Sequence, residues 1–574
     1  MKPFLPVLLS TLCSTTLCLS PLSPCYAAVK APALYRNGIV ASDHVLASQA
    51  GRDMLKQGGN AFDAAIATSL VLSVVRPQST GIGGGGFMVY HHQEKTRILD
   101  YREVAPALAH RDMYLDQNKV PVPGASTTGF KAAAVPGMLA GLARIHKEHA
   151  TLPLKTLMAP AIALAENGFP ADAHFVHASE VVAQRGATSD VINTYFVKGK
   201  PARLGDIIRN RALAKTLRIL SEEGLTSFYT GTVAKNLVKG LQQKEALVSQ
   251  QDLQNYAPRQ RIPLMTNYRG YTIATMPPPS SGGVAILTML NLLEPYPLNW
   301  NSIAHGSSQY THLVTETMKH AFSDRAHFLG DPDFVKVPVA ELTSKDYARQ
   351  IQQRINEAQI ATLNSEYYGK KGLKKAAKAT PILDHGTTHY AIMDKLGNVV
   401  SATETINTYF GSQAIVPDTG ILLNNEMDDF SKRPGVPNAF GLVGTEANAI
   451  APGKKPLSSM SPTIVFKNNK PLLAVGASGG PRIITGTFLS LINVLDYGMN
   501  VTEAVSAPRF HHQWKPDVLN IEKEMPTDVQ NALQHKGHRL KTGNAENVVQ
   551  AVMFKNGVFT GASDPRKGGE PAGY

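Results

Sequence analysis

Apolar and polar positions along this chain follow two periods. Residues 42–57 are amphipathic at helical spacing. After a break at Gly58-Gly59-Asn60, residues 61–75 form an Ala/Val/Leu run that predicts a buried helix. Residues 87–91 and 96–101 read as a pair of strands. Helical patterns return over 132–147, 154–167, 207–223, 284–293 and 312–328. A strand at 271–276 feeds the loop Pro277-Pro278-Pro279-Ser280-Ser281-Gly282-Gly283. Beyond residue 386 a period of two takes over. Residues 388–393 and 399–405 flank the turn Asp394-Lys395-Leu396-Gly397-Asn398 as a hairpin, and 421–423, 463–466 and 472–475 predict further strands. Residues 483–497 predict a helix. Both halves thus mix strands with helices, and no repeat of fixed length is present.

At 574 residues the chain can hold a large core or several domains, and 43% hydrophobic with 18% charged residues is a globular composition. The first 27 residues read as a secretory leader. Lys2 supplies the positive start, residues 4–19 are largely apolar or small, and Cys25 and Ala27 fit a cut after Ala27. Leu22-Ser23-Pro24-Cys25 also allows a lipoprotein reading, which Pro24 disfavours. Ser, Thr and Pro interrupt the apolar stretch, so it makes a poor membrane span. The expectation is an exported protein, periplasmic or secreted, with no integral span after processing. All three cysteines, Cys13, Cys18 and Cys25, lie in the leader. Residues 28–574 then have none, which excludes thiol catalysis, a disulfide framework and Cys-ligated zinc. The net charge of +13 loses only Lys2 with the leader. It fits attraction to anionic surfaces or plain solubility, and without interleaved aromatics no nucleic-acid partner is expected. Residues 366–380, with Lys370, Lys371, Lys374, Lys375 and Lys378, read as an exposed linker.

That linker precedes Asp384-His385-Gly386-Thr387-Thr388-His389-Tyr390. A cut at Gly386–Thr387 would free an α-amine on Thr387 beside its own hydroxyl, placing nucleophile and base on one residue. Other motifs compete. Gly81-x-Gly83-x-x-Gly86 follows a helical pattern and precedes a strand, the reverse of a dinucleotide fingerprint, and reads instead as a loop for close backbone packing. Gly476-Ala477-Ser478-Gly479-Gly480 matches G-x-S-x-G between a strand and a helix, with Asp517, His535 and His538 downstream. It admits a Ser478 nucleophile, or an oxyanion hole made by its backbone N–H groups. His385 and His389 have ligand-like spacing without a third partner, and His511-His512 reads as structural, so no metal and no cofactor are expected. Asn424-Asn425-Glu426-Met427-Asp428-Asp429 is an exposed acidic turn or a cage for an ammonium. Leu457-Ser458-Ser459-Met460-Ser461 is a solvated turn or a set of donors for a carboxylate, which Arg102 could clamp bidentately.

Together these motifs resemble the γ-glutamyltranspeptidases, members of the N-terminal-nucleophile hydrolases. The likeness runs from about residue 41 to 574. It is carried by Thr387-Thr388-His389-Tyr390, by Leu422 through Phe430, by Lys455 through Thr463, and by Ala507-Pro508-Arg509-Phe510-His511. The resemblance implies a four-layer αββα sandwich. It also implies self-cleavage at Gly386–Thr387 into a large chain, 28–386, and a small catalytic chain, 387–574, which stay together as a heterodimer. It implies a γ-glutamyl ester on Thr387, formed from glutathione, glutamine or related donors and resolved by water, amino acids or dipeptides. Thr405 would support the Thr387 hydroxyl, and the N–H groups of Gly479 and Gly480 would form the oxyanion hole. Arg102, Ser458 and Ser459 would hold the α-carboxylate of the donor, and Asn407, Glu426 and Asp429 its amine. A related acylase, for example one acting on a glutaryl β-lactam, and a serine hydrolase using Ser478 are the alternatives. Many bacterial members carry a Tyr in a lid loop after Pro434-Gly435-Val436-Pro437-Asn438. Phe440 stands at that place here and lacks the hydroxyl that would reach Asn407, so a lid without that latch is expected.

Overall fold

The computed structural model describes residues 31–361, 365–370, 386–544 and 546–574. The leader with its cut, most of the lysine-rich linker, and His385 lie outside the described residues.

The amphipathic run becomes helix Val45–Lys56, and the apolar run after it becomes helix Ala61–Val75, buried along its whole length. Asn60 starts the second helix. Its side chain accepts the Phe62 and Asp63 N–H groups while the Asp63 carboxylate takes the Asn60 N–H, a reciprocal cap. Two helices begin later than their spacing predicts. Val135 is drawn into a bridge with Val104, so that helix is Met138–His149. Ile207–Ile208 pairs with Phe169–Pro170, and Asn210 then caps helix Arg211–Glu223.

Two seven-stranded antiparallel sheets face each other. The first runs Ala572–Gly573, Gly38–Ser42, Gly386–Asp394, Val399–Asn407, Gly85–His92, Lys95–Tyr101, Arg259–Arg261. The second runs Leu34–Tyr35, Val558–Ser563, Val548–Lys555, Lys470–Ser478, Thr463–Lys467, Tyr271–Thr275, Leu264–Tyr268. Ala391, Met393, Val399 and Phe87 of the first sheet meet Ile464, Ala474, Val475 and Val552 of the second in one dry layer. Helices Val45–Lys56 and Ala61–Val75 cover the outer face of the first sheet, and Gly282–Leu293 and Arg482–Leu495 cover that of the second. This is the expected αββα sandwich. Strands Gly386–Asp394 and Val399–Asn407 are buried on both faces because each central sheet is roofed on one side and faces its twin on the other. No helix among the described residues is long and apolar enough to cross a membrane.

Candidate functional site

Thr387 lies at the start of a central strand, opposite Thr405, where the ladder shifts register between Gly386 and Thr387. The Thr405 hydroxyl lies 2.9 Å from Thr387 Oγ1 and donates to the Gly386 carbonyl at 2.8 Å. It also accepts the Asn407 N–H at 2.8 Å. A hydroxyl has one proton, so the bond between the two threonines must be donated by Thr387. Asn407 holds a left-handed backbone, φ +79°, which a non-glycine residue adopts where its surroundings force it. Its Nδ2 donates to Asn425 O at 3.0 Å, and its Oδ1 has no protein donor among the described residues. The glycine loop serves packing, since a Cβ on Gly84 would collide with the Thr405 carbonyl and one on Gly83 with that of Leu422.

Strand Lys470–Ser478 ends beside this pair. Gly479 (φ +124°) and Gly480 (φ +56°) turn the chain into helix Arg482–Leu495. Their N–H groups meet no acceptor among the described residues, which leaves two donors at a helix N-terminus for a developing negative charge. Ser478 is buried, and its hydroxyl has no hydrogen-bond partner among the described residues. Asp517 bonds His512 at 3.0 Å and His538 bonds His312 at 2.7 Å, and His535 makes no bond to Ser478. Among the described residues no base reaches Ser478, which argues against the serine-hydrolase alternative.

The acidic turn is not exposed. Glu426–Asp429 is a 3-10 turn in which Glu426, Met427 and Asp428 are buried. Asn424 and Asn425 pin it: Asn424 bonds Gly83 and Ala134, and Asn425 bonds Thr127 and Thr408. Its acids meet Arg102 at the end of strand Lys95–Tyr101. Arg102 pairs with Glu426 and with Asp429, each at 2.7 Å. Glu103 lies 3.6 Å from the same guanidinium, and its two carboxylate oxygens are buried with no hydrogen bond from another residue among the described ones. Burial alone would lower the pKa of Arg102, but the carboxylates of Glu426, Glu103 and Asp429 override it and raise it. Burial pushes Glu103 up to about 7 and Glu426 well above the usual carboxylate range, and it raises Asp429 as well. Glu103 is the residue that sequence reasoning missed. Its only signal was its place next to Arg102. The Ser458 hydroxyl accepts the Met460 N–H at 3.1 Å, which leaves its own proton to donate.

These groups share one small cavity. Thr387, Thr405, Asn407 and Gly480 line it together with Arg102, Glu426, Asp429, Ser458 and Ser459. Gly479 stands one residue behind. Phe440 closes over the cavity, nearly buried, with its ring so close to Gly480 that a Cβ there would sit 2.7 Å from it. The missing aromatic hydroxyl therefore does not leave the loop open. Asn438 holds it instead, donating to Asp429 at 3.1 Å and accepting the Phe440 and Leu442 N–H groups at 3.0 Å. Gln513 donates to the Phe440 carbonyl at 3.2 Å.

His389, His511, His312 and His538 are buried. His389 bonds Thr403 at 2.8 Å, and burial lowers it to about 3. His511 bonds Thr485 and Gln513. His312, Glu316 and His538 bring ligand atoms within 4.8 Å of one another. The two rings already share a hydrogen bond, and Glu316 is held by Lys319 at 2.8 Å and by the Tyr368 hydroxyl at 3.1 Å.

Comparison with known proteins gives one picture. Residues 47–574 match the model of the family described as gamma-glutamyltranspeptidase. The glutathione hydrolase proenzyme of Escherichia coli (strain K12) is 42% identical over 542 residues, covering 93% of this chain and 91% of that protein. The cephalosporin acylase from Bacillus halodurans superposes with a TM-score of 0.83 at 28% identity, over 97% of this chain and 99% of its own. A chain of the Helicobacter pylori gamma-glutamyltranspeptidase superposes with a TM-score of 0.56 at 35% identity, over 62% of this chain and all of its own.

Proposed function

The chain belongs to the γ-glutamyltranspeptidase family, and from that premise we propose that it cuts itself at Gly386–Thr387 and then transfers γ-glutamyl groups from Thr387. One observation carries the reading: the Thr405 hydroxyl touches both the Thr387 hydroxyl and the Gly386 carbonyl. In the precursor, Thr387 Oγ attacks that carbonyl and displaces the Thr387 nitrogen. Thr405 bears on the oxygen where charge develops; the displaced nitrogen takes the hydroxyl proton and becomes the free amine, and hydrolysis of the resulting ester releases the large chain and restores the Thr387 hydroxyl. The small chain, 387–574, stays with the large chain, 28–386. The Helicobacter pylori chain spans 62% of this one, close to the share of such a large chain.

In the cut enzyme the Thr387 amine takes the hydroxyl proton as Oγ attacks the γ-carbonyl of glutathione, glutamine or a related donor. The N–H groups of Gly479 and Gly480 hold the oxyanion, and the amine passes the proton to the leaving amine. Water, an amino acid or a dipeptide then resolves the ester. The donor is a zwitterion. Its carboxylate takes Arg102 from Glu426 and Asp429 with help from Ser458 and Ser459, and its ammonium takes the released acids and Asn407 Oδ1. The ion pairs of the empty pocket are thus exchanged and not merely broken, which keeps charge balanced in a dry site. The same exchange argues against a glutaryl β-lactam, which lacks the amine, although the likeness to a cephalosporin acylase keeps that substrate worth assaying. The leader, residues 1–27, directs export.

The test is a denaturing gel with N-terminal sequencing and a glutathione assay. Two bands are expected, the smaller beginning at Thr387. Thr387→Ala should stay whole and inactive, and Ser478→Ala should still cut itself. A fully active but unbroken chain would falsify the reading.

A further inference from the structure

After strand Val558–Ser563 the chain leaves the second sheet and crosses to the edge of the first, where Ala572–Gly573 pairs with Gly38–Ser42. In crossing it carries Lys567 beneath the nucleophile. Lys567 is buried, and its ammonium donates to the Thr387 carbonyl at 2.8 Å and pairs with Asp43 at 2.7 Å. Asp43 also accepts the Thr388 hydroxyl at 2.8 Å and Gln550 Nε2 at 2.6 Å. Arg76 donates to the backbone carbonyls of both Asp43, at 2.7 Å, and Lys567, at 3.0 Å. A buried lysine–aspartate pair contributes little net stability, because desolvating two charges offsets their attraction. The placement of this ammonium against one particular carbonyl therefore calls for a role other than stability.

We propose that Lys567 is a positioning residue for Thr387: it fixes the Thr387 carbonyl and, once the chain is cut, its charge keeps the Thr387 amine in the free-base form. The inference rests on the proposed cut at Gly386–Thr387. The nitrogen and oxygen of one residue are at most ~3.7 Å apart, so the ammonium lies within about 6.5 Å of the amine. A cation that close in a dry interior disfavours a second one. Asp43, paired with the ammonium at 2.7 Å, offsets part of its field, and the Arg76 guanidinium beside both is itself paired with Asp172. Asp43 is shared with Thr388 and Gln550, while Lys567 alone of the pair touches Thr387. Arg102 is compensated by Glu426 and Asp429, and Glu103 sits beside them. His389, two residues along, is neutral. Glu404, opposite Thr388, is bonded by the Ser69, Tyr101 and Tyr390 hydroxyls. An ordinary α-amine titrates near 7.7–8.0 and is largely protonated at neutral pH. A fall of about one pH unit would make it the base the reaction needs.

The test begins with the cut wild type. Carbamylation of the Thr387 amine by cyanate is followed against pH by mass spectrometry of the small chain, and the apparent pKa is expected about one unit below the ordinary value. The second measurement uses the double variant Lys567→Met/Asp43→Asn, which removes both charges and leaves neither buried alone. Its acid limb of kcat/KM and its carbamylation curve should both move up by about one pH unit, with KM for glutathione changed less than about twofold. Lys567→Arg should restore the limb. An ordinary amine pKa in the wild type, or an unmoved limb in a cut double variant, overturns the proposal. If the double variant does not cut itself, the wild-type titration alone decides. A wild type that stays unbroken on the gel defeats the parent reading first, and this one with it.

Discussion

Thr387, Thr405, Gly479 and Gly480 stand at the ends of central strands and carry no side-chain charge, whereas Arg102, Glu103, Glu426 and Asp429 stand on loops and at a strand end and are all ionisable. The first group depends on distance. A hydroxyl and two N–H groups act only where the sheets hold them, and central strands are the stiffest support the fold has. The second group depends on balance. Three buried acids crowd the Arg102 guanidinium, with Arg325 near Asp429 and Lys455 near Glu103 as further cations, and the ammonium of a zwitterionic donor would add another. Changes in the first group should therefore appear in kcat, and changes in the second in KM.

Thr387→Ala tests the comparison hardest. It should abolish self-cleavage and lower glutathione turnover by at least about 10⁴-fold, measured on a gel and by product release. Gly480→Ala comes next. The new methyl meets the Phe440 ring and the φ of +56° disfavours it, so kcat should fall about 10²–10³-fold with KM nearly unchanged in steady-state assays. Arg102→Gln should lower kcat/KM about 100-fold, mostly through KM, because it leaves three buried acids without their cation. A loss of the same size carried by kcat would erase the distinction between the two groups.

The mildest change is Glu404→Gln. Burial lifts Glu404 to about 7 from an ordinary 4.5. An acid raised in the folded state adds stability below its unfolded pKa and loses it as pH climbs through the folded one. From pH 5 to pH 8 the wild type should lose on the order of 2 kcal/mol relative to the variant in denaturant melts, with activity at pH 6 within about twofold.

The sandwich could be read from the chain because its elements are long and their periods clean. Helix Ala61–Val75 and the hairpin from Gly386 to Asn407 stand close to where their patterns put them. The starts of Met138–His149 and Arg211–Glu223 could not, because long-range partners, Val104 and Phe169–Pro170, pull the preceding residues into a bridge and a short strand. In the pocket, the motif residues were legible as types but their pairing was not. Nothing local says that Arg102 meets Glu426 and Asp429 while the pocket is empty, or that Asn438 can latch a lid whose Phe440 has no hydroxyl. Lys567 was invisible for a plainer reason. Its partners, Asp43 and Thr387, are distant in sequence and meet it only because the last strand returns to the first sheet.

Gly38–Ser42 and Gly85–His92 precede the proposed cut, yet they flank Gly386–Asp394 and Val399–Asn407, which follow it. The two products would be interleaved strand by strand, with no smooth boundary along which to peel apart. Dilution should leave them joined, and calorimetry should record a single melting transition for both polypeptides. Re-forming the particle from separately expressed halves would require weaving a sheet, not docking two finished bodies.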